Sequence, residues 1–534
     1  MQGVPVLIVG GGPVGLTASF LLSRRGIRSL LVERHPGTAI HPKARGINAR
    51  TMEIFHQQEV EAEVRSAGLP PERTGFIVWA HTLSGREIER RVPWRGRPES
   101  AEISPVRACL CAQDYLEPVL RRFAERQPFA ELRFDTELLS FEQDGARVRA
   151  TLLNRKTGLQ EEIDAQYMIA ADGAQSAIRK ALGVAMQGDR DVYDSVNVLI
   201  EADLRRWTAH RPAALYFIEN ERLRGTFLTI NAADRWGFLV NSLKSQGFRA
   251  EDFSPELSAR LVRLAVGMPD LPVKVLGIAP WTASAHVAER YVHGRIFLAG
   301  DAAHEMPPTG GFGMNTGIQD VHNLCWKLAL VLQGRATLSL LETYHDERQP
   351  VGRAITEQSL NNAVSMGRLQ ETRQSAGARP EFLNEIGMIF GATYESSAVV
   401  SDGTAPPAVG DAVTEYRPSA RPGGRAPHAW LQGGDGARVS TIDLIGNDFV
   451  LLAGSQGDPW IDAAGHSEIP IKPVKVGHGD FADVDGRWHD IYGVEPTGAV
   501  LIRPDGYVGW RCVSMTGNPS RALGEALAGL QGRA

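Results

Sequence analysis

Residues 4–9 (VPVLIV) form a short, nearly all-apolar run that opens directly onto the glycine-rich stretch Gly10 to Gly15. A run of that length and character fits a strand covered on both faces, as in a parallel sheet. A helical pattern from about Val14 to Arg25 follows and stops at Gly26. Ser29 to Glu33 (SLLVE) then reads as a second strand. This is a complete βαβ unit, and it commits the start of the chain to a Rossmann-like α/β domain. Gly10, Gly12 and Gly15 fall at the spacing that permits a tight turn, close approach of a pyrophosphate, and close helix–strand packing. Glu33 ends the second strand, where a carboxylate binds ribose hydroxyls. A lone glycine motif is weak; this one follows a strand, opens a helix and has its acid about 20 residues on.

Two later strand ends carry carboxylates. Tyr167 to Ala171 (YMIAA) runs into Asp172-Gly173, with Arg179 beyond, and alone such a pair reads as a turn. Arg295 to Ala299 runs into Gly300-Asp301, then a Pro-Pro turn, the glycine-rich loop Pro307 to Asn315 and a helix. A strand-end carboxylate can accept hydrogen bonds from a hydroxyl chain, and a glycine loop entering a helix brings backbone N–H groups close to a flat, electron-rich ring. In isolation Asp301 can also be read as a helix cap, the less favoured of the two readings.

The length, 534 residues, allows two to four domains. From about residue 185 to 280, alternating runs such as AALYFIE and WGFLVNS predict antiparallel strands inserted between two parts of the first domain. Long helices are predicted over Ile318 to Gln333 and Leu338 to Ala363. Residues 403–437, rich in Gly, Pro, Ala and Arg, read as a linker or docking strap. A last domain has strands near 440–454 and 469–476, a hairpin at 499–512 turning on Pro504-Asp505-Gly506, and a helix from about Ser520. The expected division is 1–180 with 281–365 for the first domain, 181–280 (with part of 70–108) for the inserted one, 366–405 as a helical connector, and 406–534 for the last.

A net charge of -5 gives no reason to expect nucleic acid. No apolar stretch has the pattern of a membrane span, and no signal peptide is expected. The four cysteines are too few and scattered for a disulfide framework, which fits a cytoplasmic protein. Cys109 and Cys111 do not complete a metal site, and His304-Glu305 lacks a second histidine at metalloprotease spacing, so no metal is expected.

In their order, the GxGxxG, DG and GD motifs resemble those of the single-component, FAD- and NAD(P)H-dependent flavoprotein monooxygenases that hydroxylate aromatic rings (group A). The resemblance covers nearly the whole chain. It is nearest to the subgroup acting on polycyclic aromatic natural products, as in antibiotic biosynthesis by aromatic polyketide and indolocarbazole pathways. Residues 417–431 (RPSARPGGRAPHAWL) and 440–454 (STIDLIGNDFVLLAG) resemble that subgroup's C-terminal domain, thioredoxin-like in fold. The stretch equivalent to a thioredoxin's CxxC, LLAGSQGDPW, has no cysteine, so a structural role is expected there.

The resemblance implies a site. Gly10, Gly12, Pro13, Gly15, Glu33 and Arg34 would hold the ADP half of non-covalent FAD, with Gln113 near its phosphates or ribityl chain. Asp172 and Gly173 would shape the nucleotide site and the approach of NADPH or NADH. Gly300 and Asp301 would serve the ribityl hydroxyls, and Pro308, Gly311, Gly313, Met314 and Asn315 the isoalloxazine. The segment HPKARGINARTMEIF resembles the family's basic segment near the flavin, but many relatives have arginine where this chain has Lys43, and Arg45 stands two residues on. Which of the two meets the cofactor stays open.

No catalytic side chain is assigned, because the flavin carries the chemistry. The implied reaction uses NAD(P)H and O₂ to hydroxylate a phenolic or quinone-like polycyclic substrate through a flavin C4a-hydroperoxide. A Baeyer–Villiger-type oxygenation or oxidative ring rearrangement is the alternative, and a non-catalytic flavin-binding partner the outlier. Tyr216, Phe227, Trp236 and Phe238, on strands of the inserted sheet, are candidate walls of an apolar substrate pocket. The oligomeric state is open, with a homodimer as one option.

Overall fold

The structure, a computed structural model, describes residues 2–93, 101–366, 385–477, 480–515 and 517–533. Its first sheet is built on the strand Gln2–Val9. This pairs in parallel with Ser29–Val32 on one side and with Gln160–Ala170 on the other; Ala130–Arg133 and Ile296–Leu298 extend the parallel order outward. Val6, Leu7 and Ile8 are wholly buried, as a strand covered on both faces requires. The helix Pro13–Ser23 covers one face and packs against the long helix Gly313–Leu332. Sequence pattern predicts one strand over Glu131 to Phe141. The chain breaks it at Asp135, which takes a left-handed backbone (φ +53°), and the second part, Thr136–Gln143, pairs antiparallel with Val148–Asn154.

Among the described residues the second sheet has eight strands, with His304–Glu305 at one edge beside Lys274–Ala288. Met186–Glu201 and Lys274–Ala288 run antiparallel along much of their length, followed by Arg235–Asn241, Arg224–Thr229 and Ala213–Glu219. Phe76–Ala80 joins in parallel to Ala213–Glu219, with Glu87–Arg91 at the edge. One face is buried by the helix Pro255–Val266, whose Leu261, Val262, Ala265 and Val266 share a core with the sheet.

The C-terminal part is thioredoxin-like: Phe449–Ala453, helix Asp458–Gly465 and Ile471–Lys475 form a parallel βαβ unit. The hairpin Ala499–Ile502 and Val508–Cys512 and the helix Pro519–Leu530 complete it. Of the expected helical connector, residues 367–384 lie outside the described residues. The described part holds one short helix, Ile386–Phe390, and continues without regular structure, its turns held by Ser396, Ser401 and Asp402 accepting from backbone N–H groups two residues on. No helix among the described residues is long and apolar enough to cross a membrane.

Candidate functional site

The two larger sheets and the start of the Gly313–Leu332 helix enclose a cavity of about 1580 Å³. The GxGxxG turn forms one end. Gly10 has φ +113°, and a Cβ there would lie 2.2 Å from the Ala171 carbonyl oxygen; one at Gly15 would lie 2.0 Å from that of Gly10. These two glycines let helix and strands close on each other. Gly12 differs: a Cβ there would meet nothing within 4 Å, because the residue faces the cavity. Gly11, which the motif leaves unspecified, is also required, since a Cβ would lie 2.8 Å from that of Glu33. The Glu33 carboxylate accepts from the N–H of Gly11 at 2.7 Å and that of His35 at 2.9 Å. Pro13 and Arg34 line the same end, and Arg34 is exposed.

The loop after Glu33 returns along the wall. Gln113 accepts from the Ala44 N–H at 3.1 Å and donates to Glu117 at 2.6 Å, and Glu117 accepts from the Ala39 N–H at 2.6 Å. Glu117, four residues along the helix Gln113–Glu125, escaped the sequence reading, although i,i+4 spacing puts it beside Gln113. Lys43 and Arg45 part company here. Arg45 donates to the carbonyls of Ala214 at 2.7 Å and Thr229 at 3.3 Å, tying the loop to the second sheet. Lys43 is exposed to the cavity, and its ammonium has no hydrogen bond or ion pair among the described residues.

Asp301 lies at the floor. Its carboxylate is open to the cavity but set deep in the fold, and that enclosure pushes its pKa above the ordinary aspartate range. No described residue donates a hydrogen bond to the carboxylate, while the Asp301 carbonyl accepts from Arg179 at 3.4 Å. Gly300 sits behind the wall: its N–H donates to buried Asp320 at 3.1 Å, and Gly317 presses against it so closely that a Cβ there would lie 2.8 Å from the Gly300 Cα. Asp172 accepts from the Ser176 hydroxyl at 2.6 Å and the Ile178 N–H at 3.3 Å, fixing the turn that aims Arg179 at the Ala302 carbonyl, 3.0 Å away. The DG and GD segments thus meet through Arg179, with Gly173 on the cavity wall.

Pro308, Gly311, Gly313, Met314 and Asn315 line the cavity at the start of the long helix. Asn315 is buried. It accepts from the Asn48 N–H at 2.9 Å and donates to the carbonyls of Gly46 (2.9 Å) and Gly311 (2.7 Å). Asn48 in turn caps the helix Ala49–Gln57 by accepting from Thr51 N–H at 2.9 Å.

The expected aromatic wall needs correction. Tyr216, Phe227 and Phe238 stand opposite one another across three strands, and Trp236 packs edge-on to Tyr216. All four are buried in the core under the helix Pro255–Val266, away from the cavity. Strand side chains alternate, so the other set faces inward. Leu215, Phe217, Thr226, Leu228 and Leu239 line the cavity, and register puts Phe217 opposite Thr226 and Thr226 opposite Leu239. The alternation in AALYFIE was a usable signal for two faces, but not for which of them meets the cavity.

No cluster of metal-ligating side chains occurs among the described residues. The residues present fit a dinucleotide with an attached ring system: an open glycine turn at a helix N-terminus, an unbonded deep carboxylate, and a helix start framed by glycines.

The FAD binding domain family matches residues 3–359, and the family described as aromatic-ring hydroxylase, C-terminal, matches residues 419–534. The chain is 39% identical over 559 residues to tetracenomycin B2 monooxygenase-dioxygenase of Streptomyces olivaceus, with 99% of each covered. It is 38% identical over 540 residues to 4-methyl-5-nitrocatechol 5-monooxygenase of a Burkholderia species, covering 98% of this chain and 97% of that one. The crystal structure of aklavinone-11 hydroxylase in a ternary complex with FAD and aklavinone matches with a TM-score of 0.88 at 33% identity, covering 100% of both chains.

Proposed function

Since the chain belongs to the FAD-dependent aromatic-ring hydroxylases and is an FAD-dependent monooxygenase, we propose that it uses NAD(P)H and O₂ to hydroxylate a polycyclic phenolic or quinone-like substrate. The observation that carries this reading is the continuity of the cavity. One space is lined by the GxGxxG turn, by Asp301 and by the apolar face of the second sheet, so a cofactor and a flat apolar substrate share it.

The ADP half of FAD fits against Gly12, where backbone can approach a pyrophosphate at the helix N-terminus. Glu33 is held rigid by the Gly11 and His35 N–H groups to meet the ribose, and Arg34 and Gln113 line the approach. Asp301 supplies an acceptor to the ribityl hydroxyls. Gly311, Gly313, Met314 and Asn315 frame the isoalloxazine end, beside Pro308. Of the two basic candidates Lys43 is the one free to meet the cofactor, because Arg45 is engaged by carbonyls of the substrate sheet.

Reduced by a nicotinamide, bound FAD supplies the activation of O₂, one oxygen atom passing to the ring and the other to water. The chain's own work is placement and exclusion of water. Phe217 and Leu228 offer flat apolar contact, and Met306 and Pro307 close the space toward the Asp301 floor.

The test is direct. Purified protein should oxidise NAD(P)H faster when given a polycyclic phenol, and ¹⁸O₂ should place one labelled atom in the product. Product structure separates ring hydroxylation from Baeyer–Villiger insertion. Preference for a single-ring nitrocatechol would move the substrate class toward that of the Burkholderia relative. An FAD-loaded protein that consumes no NAD(P)H with either class would overturn the reading.

A further inference from the structure

One turn of the C-terminal domain packs behind the cavity, against helices whose N-terminal ends line it. The hairpin turn Arg503 to Tyr507 is driven between two helices of the FAD domain, and Arg503 and Asp505 are fully buried there. The Asp505 carboxylate accepts from Asn323 Nδ2 and Trp326 Nε1, both at 3.1 Å, on the helix Gly313–Leu332. Its backbone carbonyl accepts from Arg50 Nη2 at 2.6 Å, on the helix Ala49–Gln57. Gly506 makes room: a Cβ there would lie 3.2 Å from that Arg50 nitrogen. Arg503 anchors the turn with two bonds to Glu347, at 2.6 and 2.8 Å. A second grip comes from Arg425, which pairs with Glu53 on the Ala49–Gln57 helix.

The same two helices meet at the cavity. Their N-terminal ends are joined by the Asn48 N–H to Asn315 bond, and both residues line the wall. Asp505 therefore bridges, from behind, the two helices whose front ends frame the site. A buried carboxylate that accepts from Asn323, Trp326 and Arg503 (Nε at 3.1 Å), beside a carbonyl that accepts from Arg50, has little freedom to shift, so the spacing it sets is stiff.

We propose that Asp505 is a positioning residue for the flavin: the C-terminal hairpin turn sets the separation of the Ala49–Gln57 and Gly313–Leu332 helices and so holds the Asn48–Asn315 pair in register for the isoalloxazine end. This gives the thioredoxin-like domain, whose LLAGSQGDPW stretch has no cysteine where a thioredoxin has its CxxC, a task in cofactor binding. The proposal rests on the FAD reading of the cavity.

The test compares full-length Asp505→Asn and Trp326→Phe with Val474→Ala, which trims the core at the opposite edge of the C-terminal sheet. Two readouts are taken: FAD affinity from flavin fluorescence, and hydrogen exchange of the 46–52 backbone in the apo-protein. The first two variants should weaken FAD by about 3- to 30-fold and speed exchange at Asn48, with the visible spectrum of the bound flavin altered. Val474→Ala should lower thermal stability and change neither. Should Asp505→Asn not fold, Trp326→Phe, which keeps every charge, decides. Unchanged FAD affinity and exchange in the bridging variants, or equal losses in Val474→Ala, would overturn the proposal. Failure of the wild type to bind FAD would instead sink the function, while the exchange arm would still report on the bridge.

Discussion

Tyr216 and Phe217 are adjacent on one strand and serve opposite sides of the second sheet. Phe217 lines the cavity and stacks on Trp79 with ring centroids 5.2 Å apart, while Tyr216 stands edge-on to Trp236 in the core, 6.2 Å away. Substitutions on the two faces of the sheet should therefore fail in different ways. Phe217→Ala should weaken binding of an aromatic substrate by about 0.5–1.5 kcal/mol, the contribution of a lost aromatic contact, and leave FAD affinity intact. Phe227→Ala, on the core face, should cost about 3–5 kcal/mol of stability and show it in denaturant unfolding. Equal effects of both on substrate titration would contradict the assignment of faces.

Asp301 sets stability against binding. Its carboxyl is pushed above the ordinary aspartate range because it is set deep in the fold, although open to the cavity, so the folded apo-protein holds the proton more tightly than the unfolded chain does. The folded state therefore loses stability as pH rises from the unfolded pKa through the raised folded one. At neutral pH the ionised group is a burden to the empty protein. Asp301→Asn should raise the Tm of the apo-protein at pH 7 and lose that advantage in acid. It should also weaken FAD by about 1.5–3 kcal/mol, the range for hydrogen bonds to a charged acceptor. Thermal scans of apo-protein at pH 4 and pH 7, with FAD titrations alongside, check both signs.

A different titration links the FAD and C-terminal domains. His56 lies between Glu61, 2.7 Å away, and Asp443 of the C-terminal domain, 2.9 Å away; hydrogen bonds to Asp443 and then Glu61 raise its pKa from 6.5 to about 10. A raised pKa contributes stability that is complete below pH 6.5 and disappears as pH climbs toward 10. The Tm gap between wild type and His56→Gln should be widest near pH 6 and close by about pH 10. A gap independent of pH would mean that the histidine acts by packing alone. The side chain is partly exposed, so the effect should also shrink in high salt.

How much of this was legible in the sequence follows the range of the forces involved. The GxGxxG unit and the strand-end carboxylates could be read because turn geometry and strand length are local, and the cavity does line up Gly12, Asp301 and Asn315. The hairpin on Pro504-Asp505-Gly506 was also readable from its turn residues. Its burial between two helices of another domain was not, since nothing near Asp505 in sequence announces Arg50, more than four hundred positions away. The aromatic wall failed for a related reason. Period-two alternation divides a strand into two faces, but the choice of face depends on what packs against each, here the helix Pro255–Val266. Lys43 and Arg45 could not be told apart until the carbonyls of Ala214 and Thr229 came into place around the arginine.

Gly10 and Gly12 share one motif and should separate cleanly on substitution. Gly10 has φ +113° and no room, since a Cβ would lie 2.2 Å from the Ala171 carbonyl oxygen; Gly12 has a free Cβ position facing the cavity. Gly10→Ala combines an unfavourable backbone with a clash against a strand end that cannot retreat without disturbing the parallel sheet, so it should cost upwards of about 3 kcal/mol and yield little folded protein. Gly12→Ala should fold as well as wild type, because the new methyl enters only the space that a pyrophosphate would occupy. Its penalty should therefore appear on binding, as a loss of about 1–3 kcal/mol of FAD affinity from overpacking. Near-ultraviolet circular dichroism of the apo-proteins reads the first effect and FAD titration the second. A Gly12→Ala variant with wild-type affinity would show that this end of the cavity does not receive the pyrophosphate.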